Sequence, residues 1–208
     1  MRATQMVRRG LSGLFVLVLA VAVGCSGTKT AGLDSRHPLV RKAAATRLGE
    51  TGDMSVYNDL VAALRTDPDR LVRSQAAFAI GELNKRYYSV GFYPLTEALE
   101  HDSSVFVRAA SALSLSAVKD ARAVAPLVTA LRDDERGEAE VMAGDKVIVY
   151  KVSAADAART SLERLVGLQF ASRAITAGEK RSEIASQWED WYEPRIACFP
   201  TETAVASQ

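Results

Sequence analysis

The sequence is poor in the side chains that carry most metal and nucleophile chemistry, since its 208 residues include two cysteines and two histidines. His37 and His101 stand near the junctions of two similar segments, without the closely spaced additional ligands that a metal site needs. The sequence also lacks a defensible Ser-His-Asp arrangement, a phosphate-binding glycine loop and a dinucleotide fingerprint. We therefore predict no catalytic residue, no bound metal and no cofactor.

An excess of charge is also missing, because the formal net charge is +1. Three arginines lie within residues 1–24, and the rest of the chain has a net charge of −2 without them. Such a chain exerts little long-range attraction on DNA or RNA, so we expect no nucleic-acid partner. Apolar residues at 48% and charged residues at 25% exclude the disordered class and are typical of a folded domain.

The one long apolar run, from Leu11 to Val23, is shorter than the roughly 20 residues that a membrane-spanning helix needs. Arg8 and Arg9 precede it, and small residues follow it before Cys25. These are the three parts of a secretory signal. We therefore predict an export signal over residues 1–24.

The tetrad Ala22-Val23-Gly24-Cys25 resembles the lipobox of bacterial lipoproteins, although most members have leucine at the position of Ala22. The resemblance implies that Cys25 is lipidated after cleavage, and Ser26 next to it implies sorting to the outer membrane. We expect an exported protein that faces the periplasm or the cell exterior and is attached to the membrane through Cys25. The alternatives are an ordinary signal peptide and an uncleaved anchor. The polar stretch 25–34 is expected to be a flexible tether.

A helical segment recurs along the rest of the chain. It occurs at Leu39 to Gly49, Asp69 to Gly81, Val105 to Ser116 and, more faintly, Asp156 to Gly167. Apolar residues at i, i+4 and i+8 place one apolar face on each segment, and glycines after the last apolar position are expected to end the helices. Second helices are predicted at Asp53 to Arg65, about Val90 to Glu100, and Asp120 to Arg132. A helical unit repeated at this period is typical of a solenoid.

Two local features refine these predictions. Asp53, Asp120 and Asp156 are plausible N-caps. Pro94 and Pro126 are expected to kink the second helices or to delay their start.

The segments follow the pattern D-x-x-V-R-x-x-A-x-x-x-L-G, with a second helix ending in L-x-x-A-L, over residues 35–132. This pattern resembles HEAT repeats of the phycobilisome-lyase-like type. The resemblance implies an all-α, right-handed α-solenoid of helix pairs whose inner surface often holds a partner. The expected repeats span 35–66, 67–101, 102–133 and 155–192, with an insertion at 134–154 and a disordered tail at 193–208.

A column of arginines is the first candidate feature. Its members are Arg41, Arg73, Arg108 and Arg159. Acidic residues lie near them in the sequence, namely Asp69, Asp102 and Asp156. Paired arginines and carboxylates suit partly buried seams, so we predict a structural ladder of hydrogen bonds between repeats. The alternative is an anion-binding stripe.

An aromatic cluster in the second repeat is the candidate partner-binding surface. Its members are Tyr87, Tyr88, Phe92 and Tyr93. Tyrosines on a turn offer a large contact area with few rotatable bonds. The alternative is that two or more of these rings pack over the seam to the third repeat.

The C-terminal part departs from the period. Apolar runs on both sides of Gly144-Asp145 predict a β-hairpin over Glu140 to Val152, with an apolar face against the helices. Trp188 and Trp191 share one face of a predicted helix that covers the end of the solenoid. Cys198 is expected to be an unused thiol.

Two hypotheses on function follow. The first is a lipid-anchored, non-enzymatic protein-interaction scaffold in the bacterial cell envelope, with a protein partner of unknown identity. The alternative, which rests on the resemblance alone, is a lyase-like or carrier module that binds a pigment or another apolar small molecule.

Overall fold

The helices of the chain alternate between two layers in a computed structural model that describes residues 32–87, 89–143, 146–167 and 181–198. The first layer contains α1 (Pro38–Thr51), α3 (Arg70–Asn84), α5 (Val105–Val118) and α7 (Ala154–Val166). The second layer contains α2 (Tyr57–Thr66), α4 (Phe92–His101), α6 (Val124–Ala130) and α8 (Arg181–Tyr192). Each helix packs against its neighbours within its layer, and the core lies between the layers. The predicted fold class, an α-solenoid with a hairpin insertion, is confirmed.

Several helices begin at side-chain caps. Asp69 accepts hydrogen bonds from the backbone N–H groups at the start of α3. Asp53 and Asp120 cap short 3-10 helices, Met54–Val56 and Ala121–Ala123, which lead into α2 and α6. The prediction that Asp156 caps α7 was wrong, because the Ser153 hydroxyl accepts the N–H of Asp156 one turn earlier.

Gly49 and Gly81 do not end their helices, which corrects the prediction made from the sequence; both helices continue past them. A Cβ atom on Gly49 would lie 2.7 Å from Cα of Ala79, and one on Gly81 would lie 2.9 Å from Cβ of Ser114. These glycines therefore permit close contacts between α1 and α3 and between α3 and α5. Gly167 does end α7, at a φ of 75° that favours glycine.

The prolines of the second layer stand near the start of their helices. Pro94 and Pro126 are each the third residue of α4 and α6, where no intrahelical N–H bond is lost. The core contains fully buried leucines from this layer, among them Leu60, Leu95 and Leu127. Trp188 of α8 is also fully buried and extends this core at its C-terminal end.

The insertion forms an antiparallel hairpin of β1 (Arg136–Ala143) and β2 (Lys146–Ser153). The predicted turn residues, Gly144 and Asp145, lie outside the described residues. The base of the hairpin packs on α5, since a Cβ atom on Gly137 would lie 2.7 Å from the Phe106 ring. The prediction that an apolar face leans on the helices was only partly correct, because Val147, Ile148, Val149 and Tyr150 are exposed.

A 3-10 helix, Glu193–Cys198, follows α8. Within the described part of the chain, every helix is too short or too polar to cross a membrane.

Candidate functional site

Three of the four column arginines form a continuous chain of hydrogen bonds along one edge of the solenoid. Arg41 donates from Nε and Nη2 to the carboxylate of Asp67, at 2.7 and 2.9 Å. Arg108 makes the same paired contact with Asp133, at 2.7 and 3.3 Å. Arg73 pairs in this way with Asp102. Each pair joins a first helix to the segment that follows the second helix of the same repeat.

The backbone carbonyls of the same aspartates extend the chain from one repeat to the next. Arg73 Nη1 donates to the carbonyl of Asp67, and Arg108 Nη1 donates to the carbonyl of Asp102, both at 2.9 Å. Each carboxylate also accepts the backbone N–H two residues on, as Asp67 does from Asp69 at 2.9 Å. The paired side chains of Arg73 and Asp102 are 13% and 11% exposed, so this network is largely shielded from solvent.

The network shifts the pKa values of Arg41 and Asp67. The hydrogen bond that Arg41 donates to the Asp67 carboxylate raises the pKa of the Arg41 guanidinium, despite partial burial. Burial alone would raise the pKa of the Asp67 carboxyl, but hydrogen bonds from Arg41 and from the Asp69 N–H outweigh it and hold that pKa below its ordinary value. Both members of the pair are therefore charged at neutral pH.

Two parts of the predicted ladder differ in the structure. Asp69 is the N-cap of α3, and in the described residues its side chain forms no bond to a column arginine. Asp67 instead forms the arginine pair that was predicted for Asp69. Arg159 leaves the column, because it pairs with Glu163 one turn further along α7, at 2.6 Å. Asp67 and Asp133 were not predicted as partners of the column arginines. Each lies two or three residues after a leucine of the second helix, Leu64 or Leu131, and this recurring position could have indicated them.

The aromatic candidate surface is only partly available to a partner. Phe92 is 2% exposed and belongs to the core, because its ring packs over the seam. Its assignment as a partner-binding residue was therefore wrong. Tyr88 lies outside the described residues. Tyr87 and Tyr93 are exposed, at 39% and 52%.

Arg122, from the next repeat, holds Phe92 and Tyr93 in place. Its guanidinium lies 4.4 Å from the centre of the Phe92 ring and donates to the Tyr93 hydroxyl at 3.2 Å. Asp120 accepts from Arg122 at 2.6 Å and from the Ser89 hydroxyl at 2.9 Å. Ser89 has a φ of 61°, which is uncommon for a residue with a side chain. The contacts of Arg122 and Asp120 therefore tie two loops together and leave the Tyr93 side chain exposed.

The outer part of β2 carries four consecutive apolar residues that are exposed. Val147 and Val149 project from one side of the ribbon and Ile148 and Tyr150 from the other, because side chains alternate along a strand. All four are between 40% and 54% exposed. The sequence predicted this strand but not its exposure.

Within the described ranges, no group of three or more His, Cys, Asp or Glu side chains is placed to hold a metal ion. Cys25, the predicted lipidation site, lies outside those ranges, so its lipidation stays a prediction.

Comparison with known proteins places the repeats in a family. The family model for HEAT repeats matches the chain over residues 30–81 and 58–143, which together exceed half of its length. A similar solved structure is the complex of CpcE and CpcF of phycocyanin lyase from Nostoc sp. PCC7120, with 26% sequence identity and a TM-score of 0.49. The similarity covers 66% of this chain and 52% of that one, so this chain spans about half the length of the solved chain. No curated protein matches the sequence.

Proposed function

The chain belongs to the HEAT-repeat family, and from this premise we propose that it is a lipid-anchored, non-enzymatic scaffold that holds a protein partner in the bacterial cell envelope. The repeats supply a rigid two-layer support, and the proposed anchor at Cys25 holds that support at a membrane. The envelope location rests on the resemblance of residues 1–25 to a lipoprotein signal. Several acyl chains on one residue hold a protein stably without further contact with lipid.

The exposed outer half of β2 is the observation that carries the partner-binding part of the proposal. An isolated two-stranded hairpin is marginally stable in water, and contiguous exposed apolar residues mark interaction surfaces. Here the register places Tyr150 opposite Ala139, and Val152 opposite Gly137. Opposite residues share a face of the ribbon, so the face that carries Tyr150 continues from the base packed on α5. A partner on this face would extend the core of the solenoid.

Site-specific crosslinking tests this surface in the full chain. A photo-crosslinking amino acid at position 150, in the membranes of the native cell, is expected to trap one stoichiometric protein. The same amino acid at Leu39, which is 74% exposed on α1, is the matched control and is expected to trap none. Equal labelling of the same proteins from both positions would show non-specific contact and would overturn the proposal.

Affinity capture of substituted chains gives a second test. The triple substitution Ile148→Thr, Val149→Thr and Tyr150→Thr keeps the strand propensity but removes apolar area, so it is expected to abolish capture of the trapped protein. Leu39→Thr is expected to leave capture unchanged. Capture that survives the triple substitution in a folded chain excludes β2 as the surface. Capture lost instead in a Tyr87→Ala, Tyr93→Ala chain moves the surface to the aromatic loop.

The carrier alternative predicted from the resemblance stays a prediction, and the same preparation tests it. Small-molecule mass spectrometry and absorbance of the captured chain would reveal a bound pigment or apolar molecule. A stoichiometric small molecule without a protein partner would replace the scaffold proposal with the carrier alternative.

A further inference from the structure

Exposed ion pairs bridge neighbouring helices in the second layer at two seams. Arg65, at the end of α2, donates from Nη2 to Glu97 of α4 at 2.6 Å. Arg132, just after α6, donates from Nε and Nη2 to the carboxylate of Glu189 on α8, at 2.7 and 2.5 Å. In both cases the arginine directly follows a buried leucine, Leu64 or Leu131, so the two bridges occupy corresponding positions.

The seam between α4 and α6 breaks this pattern. The residue that directly follows the corresponding leucine, Leu99, is Glu100 and not an arginine. Thr129 occupies the position on α6 that Glu97 occupies on α4, two residues before the buried leucine. Among the described residues, the ion-pair partner of Glu100 is His101, at 3.7 Å, and this contact is an ion pair only when the histidine is protonated. A carboxylate therefore stands at this seam without a cation from the facing helix.

The same seam contains an open groove of about 560 Å³. Leu99, Pro126 and Ala130 supply apolar lining beside Glu100. The one arginine among the lining residues, Arg108, is already bonded to Asp133 and Glu135. The Thr129 hydroxyl donates to the carbonyl of Ala125 at 3.2 Å, so its oxygen keeps a lone pair that can accept a hydrogen bond.

We propose that this groove binds an arginine side chain of a protein partner, with its alkyl stem on Leu99, Pro126 and Ala130 and its guanidinium on Glu100. The guanidinium would supply an arginine–carboxylate pair at this seam, as Arg65 and Arg132 do at the neighbouring seams. Arginine fits better than lysine because its planar group bonds a carboxylate through two N–H groups and is less strongly hydrated. The groove is a site additional to the β2 surface, and its proposed binding of arginine does not depend on whether β2 binds a partner.

Titration of the isotope-labelled full chain, in an uncharged detergent, with N-acetyl-arginine amide tests this site by NMR. The backbone amide signals of Leu99, Glu100 and Ala130 are expected to shift with a saturating dependence on concentration. N-acetyl-citrulline amide, which has nearly the same shape but no charge, is the matched ligand and is expected to produce no saturable shift. Equal shifts with both ligands, or shifts scattered over unrelated acidic residues, would overturn the proposal.

Substitutions give a second test, because the ion pairs at the two neighbouring seams show which residues would fill this site from within the chain. Glu100→Gln is expected to weaken binding at least about fivefold, whereas Glu50→Gln, at an exposed position on α1, leaves it unchanged. Thr129→Glu adds a second carboxylate and is expected to tighten binding. The double substitution Glu100→Arg, Thr129→Glu recreates the internal bridge and is expected to abolish binding in a folded chain. Binding that survives either Glu100 substitution at full strength contradicts the site.

Discussion

Arg73 and Asp102 lie 29 residues apart in the sequence, and two nitrogens of the arginine donate to both carboxylate oxygens of the aspartate, at 2.8 and 3.0 Å. The third nitrogen of Arg73 donates to the backbone carbonyl of Asp67, in the segment that follows α2. One guanidinium thus connects two repeats. This arrangement leaves few donors for an anion, which favours the structural interpretation of the column over the alternative of an anion-binding stripe.

Removing the arginine from this pair is expected to destabilise the fold strongly. Arg73→Leu leaves the Asp102 carboxylate, in a side chain that is 11% exposed, without its main partner. Breaking a buried ion pair in this way costs about 3 kcal/mol of the free energy of unfolding. Arg65→Leu breaks a pair of which both side chains are half exposed, and is expected to cost about 1 kcal/mol or less. Urea unfolding of both chains measures the difference; equal costs would contradict the structural role.

The Asp67 carboxyl is expected to make stability depend on acid pH. Its pKa in the folded chain is lower than its ordinary value of 3.8, so the unfolded chain takes up a proton at a higher pH than the folded chain does. The resulting stabilisation is complete above the ordinary pKa and is lost as pH falls through the lower, folded-state pKa. The unfolding free energies of the wild type and of Asp67→Asn should therefore converge as pH falls from about 5 to about 2. A constant difference over that range would contradict this assignment.

Even the smallest side chain at position 81 is expected to lower the free energy of unfolding. Gly81→Ala would place a methyl group 2.9 Å from Cβ of Ser114 and force α3 and α5 apart, at a cost of about 1–3 kcal/mol. In a Ser114→Gly chain the same substitution should be neutral or stabilising, because alanine is the better helix former by about 1 kcal/mol. Thermal unfolding of the wild type, the two single variants and the double variant measures these effects. Additive effects would show that the close approach does not limit position 81.

Cys25 is expected to carry the lipid. Metabolic labelling of the full chain with an alkyne fatty acid, in a bacterium with two membranes, should label the wild type and Cys198→Ser chains equally. Cys25→Ser should remove the label and release the protein from the membrane fraction. A labelled Cys25→Ser chain, or an unlabelled wild type, would contradict the lipoprotein prediction.

The repeats were predictable because their signals are local. The i, i+4, i+8 apolar positions and the recurring arginines specify helical faces within about a dozen residues of sequence. The pairing of Asp67 with Arg41 was missed because Asp67 and Asp69 lie two residues apart and both precede a helix. The path of the chain after α2 decides which aspartate caps α3 and which one bonds Arg41 of the previous repeat. The periodic pattern of the sequence does not specify that path.

By itself, the sequence determined the period of the solenoid, the apolar faces of its helices and the position of the hairpin, since each depends on side-chain spacing along a short segment. The tertiary structure alone decided that Gly49 and Gly81 serve helix contact, that Phe92 is buried and that β2 projects from the core. These features depend on the distance and orientation between segments that are far apart in the chain, which the packing of complete helices sets.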